Sequence, residues 1–207
     1  MRAFITGTDT GVGKTYVTAL LTRALRTAGL DTVALKPLCC GSREDVEILC
    51  AAAGGELTSD QVNPIWLRTP VAPLVASREE GLSISLEVLA VWFREISVAR
   101  KSVLVEGAGG WLVPVGDRTT VADLAEKLAL PVIVVVANRL GCLNHTLLTL
   151  ESIRARGLKC DGIILNSMSG APDDATQTNR EILVELAGVP LLFEIAHGQN
   201  SLDLAVG

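Results

Sequence analysis

Gly7-Thr8-Asp9-Thr10-Gly11-Val12-Gly13-Lys14-Thr15 stands between a short apolar run, residues 2–6, and a longer stretch whose apolar positions recur at helical spacing. Strand, glycine-rich turn, Gly-Lys-Thr and helix arrive in the order of a phosphate-binding loop. The glycines let backbone N–H groups turn toward an anion, and the helix N-terminus adds partial positive charge. Lys14 reaches the outer phosphates, and the Thr15 hydroxyl can ligate Mg2+. The chemistry expected is binding of a nucleoside triphosphate. The strict pattern G-x-x-x-x-G-K-[ST] would put glycine at Thr8, whereas the nearest one is Gly7. An ordinary glycine-rich turn, the competing reading, does not account for all four parts in sequence.

Outward from this loop, strands are predicted over 2–6, 32–36, 102–106, 131–137, 162–166 and 191–195. Val103-Leu104-Val105, the run 132–136, Ile163-Ile164-Leu165 and Leu191-Leu192-Phe193 are continuously apolar, as expected where helices cover both faces of a parallel sheet. Helical spacing predicts helices over 14–28, 45–53, 86–99, 121–128, 144–156 and 173–187. Gly29, Gly157 and Gly188 stand where helix-ending glycines belong. Strand–helix alternation with short connections implies right-handed crossovers and a doubly wound, three-layer α/β/α architecture: a P-loop NTPase-like, mostly parallel central sheet with helices on both faces. In such sheets ligands bind at the carboxyl ends of the strands.

The chain has 207 residues, 49% apolar and 20% charged, which fits one domain over residues 1–207. A chain of this length buries roughly 70–75% of its unfolded surface and needs neither disulfides nor a structural metal for its core. Eighteen Lys and Arg against 23 Asp and Glu give a net charge of −5, with no basic block to track a phosphate backbone, so nucleic acid is not an expected partner. The longest apolar run, 128–137, contains Pro131 and is half of the roughly 20 residues that span a bilayer, so no membrane partner is expected. The opening residues turn glycine-rich too early for a secretory signal, and the expected location is cytoplasmic. Five cysteines without a CxxC pair read as free thiols.

The run 102–106 ends in Glu106, followed by Gly107-Ala108-Gly109-Gly110. An acidic residue ending a strand beside a phosphate loop can hold the metal, while small residues let the backbone approach phosphates. The alternative is a solvated strand-end carboxylate and a flexible turn. Lys36 ends the second predicted strand, and Pro37 keeps it extended, so its ammonium is expected to point into the crevice beside Lys14.

The segment 7–15, Lys36-Pro37, Val105-Glu106-Gly107-Ala108-Gly109-Gly110-Trp111, Leu140-Gly141-Cys142-Leu143-Asn144-His145 and Ile164-Leu165-Asn166 together resemble the dethiobiotin synthetase family. The matches keep their order over about residues 4–170, and the early Gly7 is itself part of that family's Gly-Thr-Asp-Thr opening. The resemblance implies an ATP-dependent cyclo-ligase of biotin biosynthesis, with Mg2+ as cofactor and ATP as co-substrate. 7,8-Diaminopelargonic acid and CO2 would become dethiobiotin. One amine is carbamylated, the carbamate attacks the γ-phosphate, and the second amine closes the ureido ring. The protein's task is positioning and charge neutralisation.

The resemblance further implies catalytic roles for Lys14 and Lys36. It implies nucleotide contacts from Gly11, Val12, Gly13, Lys14, Thr15, Tyr16, Asp45, Glu106, Gly107, Ala108, Gly109, Asn166 and Ser167. Substrate contacts fall on Thr10, Lys36, Cys40, Gly109 and Asn144, and metal ligation on Thr15, Asp45 and Glu106. A homodimer that completes the substrate site is implied as well. Several positions keep a second reading. Thr10 can simply form the turn, and Glu44 neighbours Asp45, so either carboxylate can be a first-turn helix residue. Asn144 is equally an N-cap, and Asn166 a turn asparagine. Cys40 replaces a serine or threonine, a weaker donor. Gly11 fills a position that is acidic in some relatives, and Ala196-His197 replaces a proline-containing base-contacting pattern at 196–198.

Cys142 and His145 lack further partners at ligand spacing for a zinc site. The rival from another class is a nucleotide-switch or partitioning-type ATPase acting through protein partners. Such proteins carry an additional lysine early in the loop, where this chain has Asp9. A third reading is a catalytically dead relative that only binds, with Cys40 as its motive.

Overall fold

A computed structural model describes residues 1–171 and 173–204. In chain order its elements are β1 (Arg2–Gly7), α1 (Lys14–Thr27), β2 (Thr32–Leu35), β3 (Leu38–Cys40), α2 (Glu44–Ala52), α3 (Ser59–Val62), β4 (Ile65–Leu67), α4 (Pro73–Glu79) and α5 (Leu86–Ser97). They continue as β5 (Ser102–Glu106), β6 (Pro114–Gly116), β7 (Thr119–Thr120), α6 (Val121–Leu128), β8 (Val132–Ala137), α7 (Cys142–Ala155), β9 (Cys160–Asn166), α8 (Asp174–Leu186) and β10 (Leu191–Ile195).

Six strands pair in parallel in the order β10-β9-β8-β1-β5-β2. Phe4 of β1 lies opposite Val105 of β5 on one side and Val132 of β8 on the other. From β1 the chain passes out to β2 and back to β5, then builds β8, β9 and β10 on the opposite side. The strand order therefore reverses beside β1, and the phosphate loop leaves the sheet at that switch point, where open α/β sheets bind ligands.

The period-two alternation of the strands divides the core between two faces. Ala3, Ile5, Leu104, Ile133, Val135 and Ile164 pack with Val17, Leu20, Leu21 and Leu25 of α1. Phe4, Val103, Val105, Val132, Val134, Ile163 and Leu165 face the other way, onto apolar residues of α5, α6, α7 and α8. Both faces are thus covered, which is why the strands read as unbroken apolar runs. Each fully buried Phe or Ile side chain contributes roughly 1.5–3 kcal/mol, so β1, with Phe4 and Ile5 wholly buried, is a firm root for the loop it carries.

The predicted strands and helices all form, within one to two residues at their ends, and two differences bear on the site. Helix α7 starts at Cys142, two residues before the predicted start, because Gly141 takes φ +90° as its N-cap. Asn144 is therefore a first-turn residue and not the N-cap. The elements β3, α3, β4, α4, β6 and β7 were not predicted. Two carried local signals: Thr58 and Gln61 form a capping box on α3, and Pro73 occupies the start of α4. Among the described residues no helix is long and apolar enough to cross a membrane.

Candidate active site

Among the described residues no side chain caps α1, and its first turn carries no acidic residue. Its N-terminal N–H groups are left for an outside anion, with the glycine turn in front of them. Lys14 opens the helix and is only 7% exposed; its Nζ folds back to donate to the Asp9 carbonyl oxygen at 3.0 Å. Burial lowers the ammonium's pKa to about 8, with Glu106 opposing the shift and Lys36 adding to it. Asp9 also accepts from the Thr10 N–H at 2.7 Å and pairs with Arg139 at 3.3 Å on the exposed rim. Two residues after Lys14, Tyr16 donates its hydroxyl hydrogen to the Gln199 carbonyl oxygen, fastening the segment after β10 to α1.

Beside the loop lies a compact set of charges. Lys36 Nζ donates to Glu106 Oε1 at 2.5 Å and to Asp45 Oδ2 at 2.6 Å. The Thr15 hydroxyl donates to the same Glu106 Oε1 at 2.8 Å. Lys36 is not the last residue of β2, which stops at Leu35. Its N–H bonds to the Val62 carbonyl oxygen at 2.9 Å, and its own carbonyl accepts from Asn63 Nδ2 at 2.8 Å. These bonds turn its backbone away from the sheet and aim the side chain across the end of β5. Asn63, buried and 2% exposed, positions Lys36 but has no motif to announce it. Burial alone would lower the Lys36 pKa, but Glu106 and Asp45 together hold it well above the ordinary lysine range. For Asp45, burial is likewise outweighed by Lys36, Thr15 and Lys14, which hold its carboxyl below the usual value. Of the adjacent acidic pair, Asp45 turns inward while Glu44 is exposed.

Glu106 is fully buried, and its Oε2 has no hydrogen-bond partner among the described residues. A buried carboxylate oxygen without a partner is costly unless a cation or donor reaches it. Two carboxylates and a hydroxyl make a hard-oxygen set of the kind Mg2+ takes, with phosphate oxygens and waters completing the octahedron. Among the described residues no three His, Cys, Asp or Glu side chains converge, so this mixed set is the candidate metal centre.

Beyond Lys36 opens a pocket of about 420 Å3. Thr10, Lys36, Cys40, Asp45, Ala108 and Gly109 contribute its polar and small surface, and Leu38, Pro70, Val71, Ala72, Pro73 and Val113 its apolar wall. The short β3–β4 pair and the start of α4 supply that wall, which the sequence reading missed although Pro70 and Pro73 punctuate it. Asn144 is exposed on α7 and does not line this pocket. It neighbours a separate groove of about 400 Å3, where Thr8, Asp9, Trp111, His145 and Leu148 meet.

At the opposite end of the crevice Asn166, 3% exposed, closes β9. A cleft of about 360 Å3 follows, with Ser167, Met168, Ala196 and His197 in its lining. The structure thus gathers Lys14, Thr15, Lys36, Asp45 and Glu106 at one point, with Thr10, Cys40 and Gly109 on one flank and Asn166 and Ser167 on the other.

A family model described as an AAA domain matches residues 1–200. Solved structures of similar fold include septum site-determining protein MinD complexed with Mg-ADP from Pyrococcus horikoshii, at TM-score 0.56 and 21% identity over 95% of this chain and 82% of that one. The MinC:MinD cell division complex of Aquifex aeolicus gives TM-score 0.59 at 16% identity, over 95% of this chain and 81% of that one. At these identities the likeness concerns the fold alone. ATP-dependent dethiobiotin synthetase BioD of Akkermansia muciniphila is 44% identical over 207 residues, covering 100% of this chain and 97% of that protein. The protein of the same name from Aromatoleum aromaticum is 42% identical over 202 residues, covering 94% of this chain and 89% of that protein. With such identity along its whole length, the chain belongs to the ATP-dependent dethiobiotin synthetase family.

Proposed function

We propose that this chain, acting as a single domain, catalyses the Mg2+- and ATP-dependent carboxylation and ring closure of 7,8-diaminopelargonic acid with CO2, giving dethiobiotin, ADP and phosphate. The observation that carries the reading is the meeting of Lys14 and Lys36 with Thr15, Asp45 and Glu106 at the junction of the phosphate loop and the 420 Å3 pocket. An amine of the substrate adds to CO2 with loss of a proton, making a carbamate. A carbamate oxygen then attacks the γ-phosphorus, and ADP leaves. The second amine attacks the resulting mixed anhydride at carbon, expels phosphate, loses a proton and closes the ring.

Each step moves negative charge between two ammonium groups held in a dry site, where fixed charges act most strongly. Lys14 is placed for the phosphoryl oxygens and Lys36 for the carbamate. Thr15, Asp45 and Glu106 would hold Mg2+, which when bound neutralises and orients the phosphates. The apolar wall of Leu38, Val71 and Val113 suits the substrate's alkyl chain.

The reading includes a homodimer. Leu112 and Leu148, which line the groove beside α7, expose 55% and 57% of their surface, and Leu140, in the turn before that helix, exposes 84%. A second copy seated there would cover them and bring its own first turn of α7, with Asn144, toward the substrate carboxylate. Five free thiols suit the reducing conditions of the cytoplasm.

The test is phosphate release with and without diaminopelargonate and bicarbonate. Dependence on both is expected. Turnover that ignores them and responds only to a protein partner overturns the reading in favour of a switch ATPase.

A further inference from the structure

Arg43 stands immediately before α2, and its backbone and side chain hold the two halves of the charged seam. Its carbonyl oxygen accepts from the Val46 and Glu47 N–H groups at 2.9 and 3.2 Å, closing the first turn that carries Asp45. Its guanidinium reaches away from that helix to the end of α3. Nη2 donates to the Ser59 and Asn63 carbonyl oxygens at 3.1 and 3.2 Å, and Nη1 donates to Asp60 Oδ1 at 2.9 Å. The same segment supplies both backbone bonds that aim Lys36: the Val62 carbonyl oxygen accepts its N–H, and Asn63 Nδ2 donates to its carbonyl oxygen. Lys36 and Asp45, 2.6 Å apart across the seam, are thus tied to one residue.

Stability does not explain this placement. Asp60 is 90% exposed, so its ion pair contributes little. Arg43 Nε is buried without a partner among the described residues, which is a cost to the fold. The remaining contacts need a flat fork: two carbonyl oxygens meet one nitrogen, and the guanidinium carbon lies 4.6 Å from the centre of the Trp66 ring. Trp66 is itself pinned, its Nε1–H donating to the Gly41 carbonyl oxygen at 2.8 Å. We propose that Arg43 is a positioning residue: it fixes the end of α3 against the start of α2, so that Lys36 and Asp45 meet at the spacing the reaction uses. This deepens the synthetase reading and rests on it for the turnover that Arg43 supports.

The experiment has two arms. The first is a double-mutant cycle on phosphate release dependent on diaminopelargonate and bicarbonate. Arg43→Ala is expected to lower kcat about tenfold, the scale of a hydrogen bond to a charged group, and to leave the KM for Mg-ATP within about threefold. In the Lys36→Ala background the same substitution should change kcat by less than about twofold, because the group it positions is gone. An unchanged kcat in Arg43→Ala, or a further tenfold loss in the Lys36→Ala background, overturns action through Lys36. The second arm reads amide exchange by NMR without substrates. Arg43→Ala should speed exchange of the Lys36 amide at least about tenfold more than that of residues 3–6. Equal acceleration means general loosening and overturns the local tie. A thermal melt identifies an Arg43→Ala that does not fold, and Arg43→Lys, which keeps the charge without the fork, then carries both arms. Absence of diamine-dependent release fails the synthetase reading by itself, while the exchange arm still decides the tie, so the two failures are distinguishable.

Discussion

The two walls of the crevice are built in opposite ways. The phosphate wall is one uninterrupted run, residues 7–15, rooted in the central strand and continued by α1. The wall proposed for the amine substrate borrows from Thr10, residues 38–40 and 70–73, Ala108, Gly109 and Val113, supported by strands only three residues long. Their lysines differ accordingly. Lys14 is placed by its own loop, and burial works against its charge. Lys36 is placed by Glu106 and Asp45, partners from elsewhere in the chain, and they support its charge. One wall is set by backbone geometry, the other by side-chain pairing across the sequence.

The largest test of this contrast is catalytic. Lys14→Ala and Lys36→Ala are each expected to lower turnover at least about 10²-fold, the scale of one preorganised charge contact. Only Lys14→Ala should also lose Mg-ATP affinity, while Lys36→Ala keeps it within about threefold, as for a group acting mainly in the transition state. Phosphate release and nucleotide titration separate the two, and equal losses of ATP binding would erase the distinction between the walls.

Stability is expected to split the lysines in sign. Lys36→Met strands the buried Glu106 and should cost about 3 kcal/mol in chemical denaturation, the range for breaking a buried pair, whereas Lys14→Met removes a penalised charge and should be neutral or stabilising. The pH dependence follows. The folded pKa of Lys14, about 8, lies below its ordinary 10.5, so between these values the unfolded chain binds the extra proton. The Lys14 contribution to stability therefore rises with pH across that window. The Lys36 pKa is raised, so its contribution is complete below 10.5 and is lost only above it. Wild-type minus variant stabilities measured through this range would expose a reversed sign in either case.

Smaller effects probe the seam and the far wall. Thr15→Val removes the hydroxyl that meets Glu106 at 2.8 Å and should raise the Mg2+ requirement of turnover about tenfold, as for one lost hydrogen bond to a charge. Burial foremost, and Cys39 next, push the Cys40 thiol up to about 11, so alkylation at this site should rise about tenfold per pH unit until about pH 10. A plateau near neutral pH would mean a different environment on that wall. Cys40→Ser is expected to change the diamine KM by less than about threefold, because a single neutral donor is exchanged for a somewhat better one.

The phosphate wall was legible because its signals are contiguous. Gly7 to Thr15, the run 132–136 and the helical spacing of Val17, Leu20, Leu21 and Leu25 each report on structure within a few neighbours. The amine wall was legible only in part. Lys36 and Cys40 were found, but Asn63 and the turn from Pro70 to Pro73 were not, because their roles arise from contacts far along the chain. Strands of three residues such as β3 and β4 carry no usable periodicity. The start of α7 was misplaced because Asn144 is a good capping residue type, while Gly141 reaches +90° at no steric cost and starts the helix sooner. The pairing of Lys36 with Glu106, 70 residues away, was beyond any local pattern.

Strand β1 is flanked on both sides by parallel partners and enclosed by helices front and back. Amide hydrogens in such a strand exchange only when the whole molecule opens, whereas short peripheral strands fray through local excursions of low energy. The frame proposed to hold the triphosphate is thus among the last parts to loosen. On the proposed reading, breathing of the opposite wall admits or releases the organic substrate while the nucleotide stays held, and deuterium uptake should be slower at residues 3–6 than at 38–40 and 65–67.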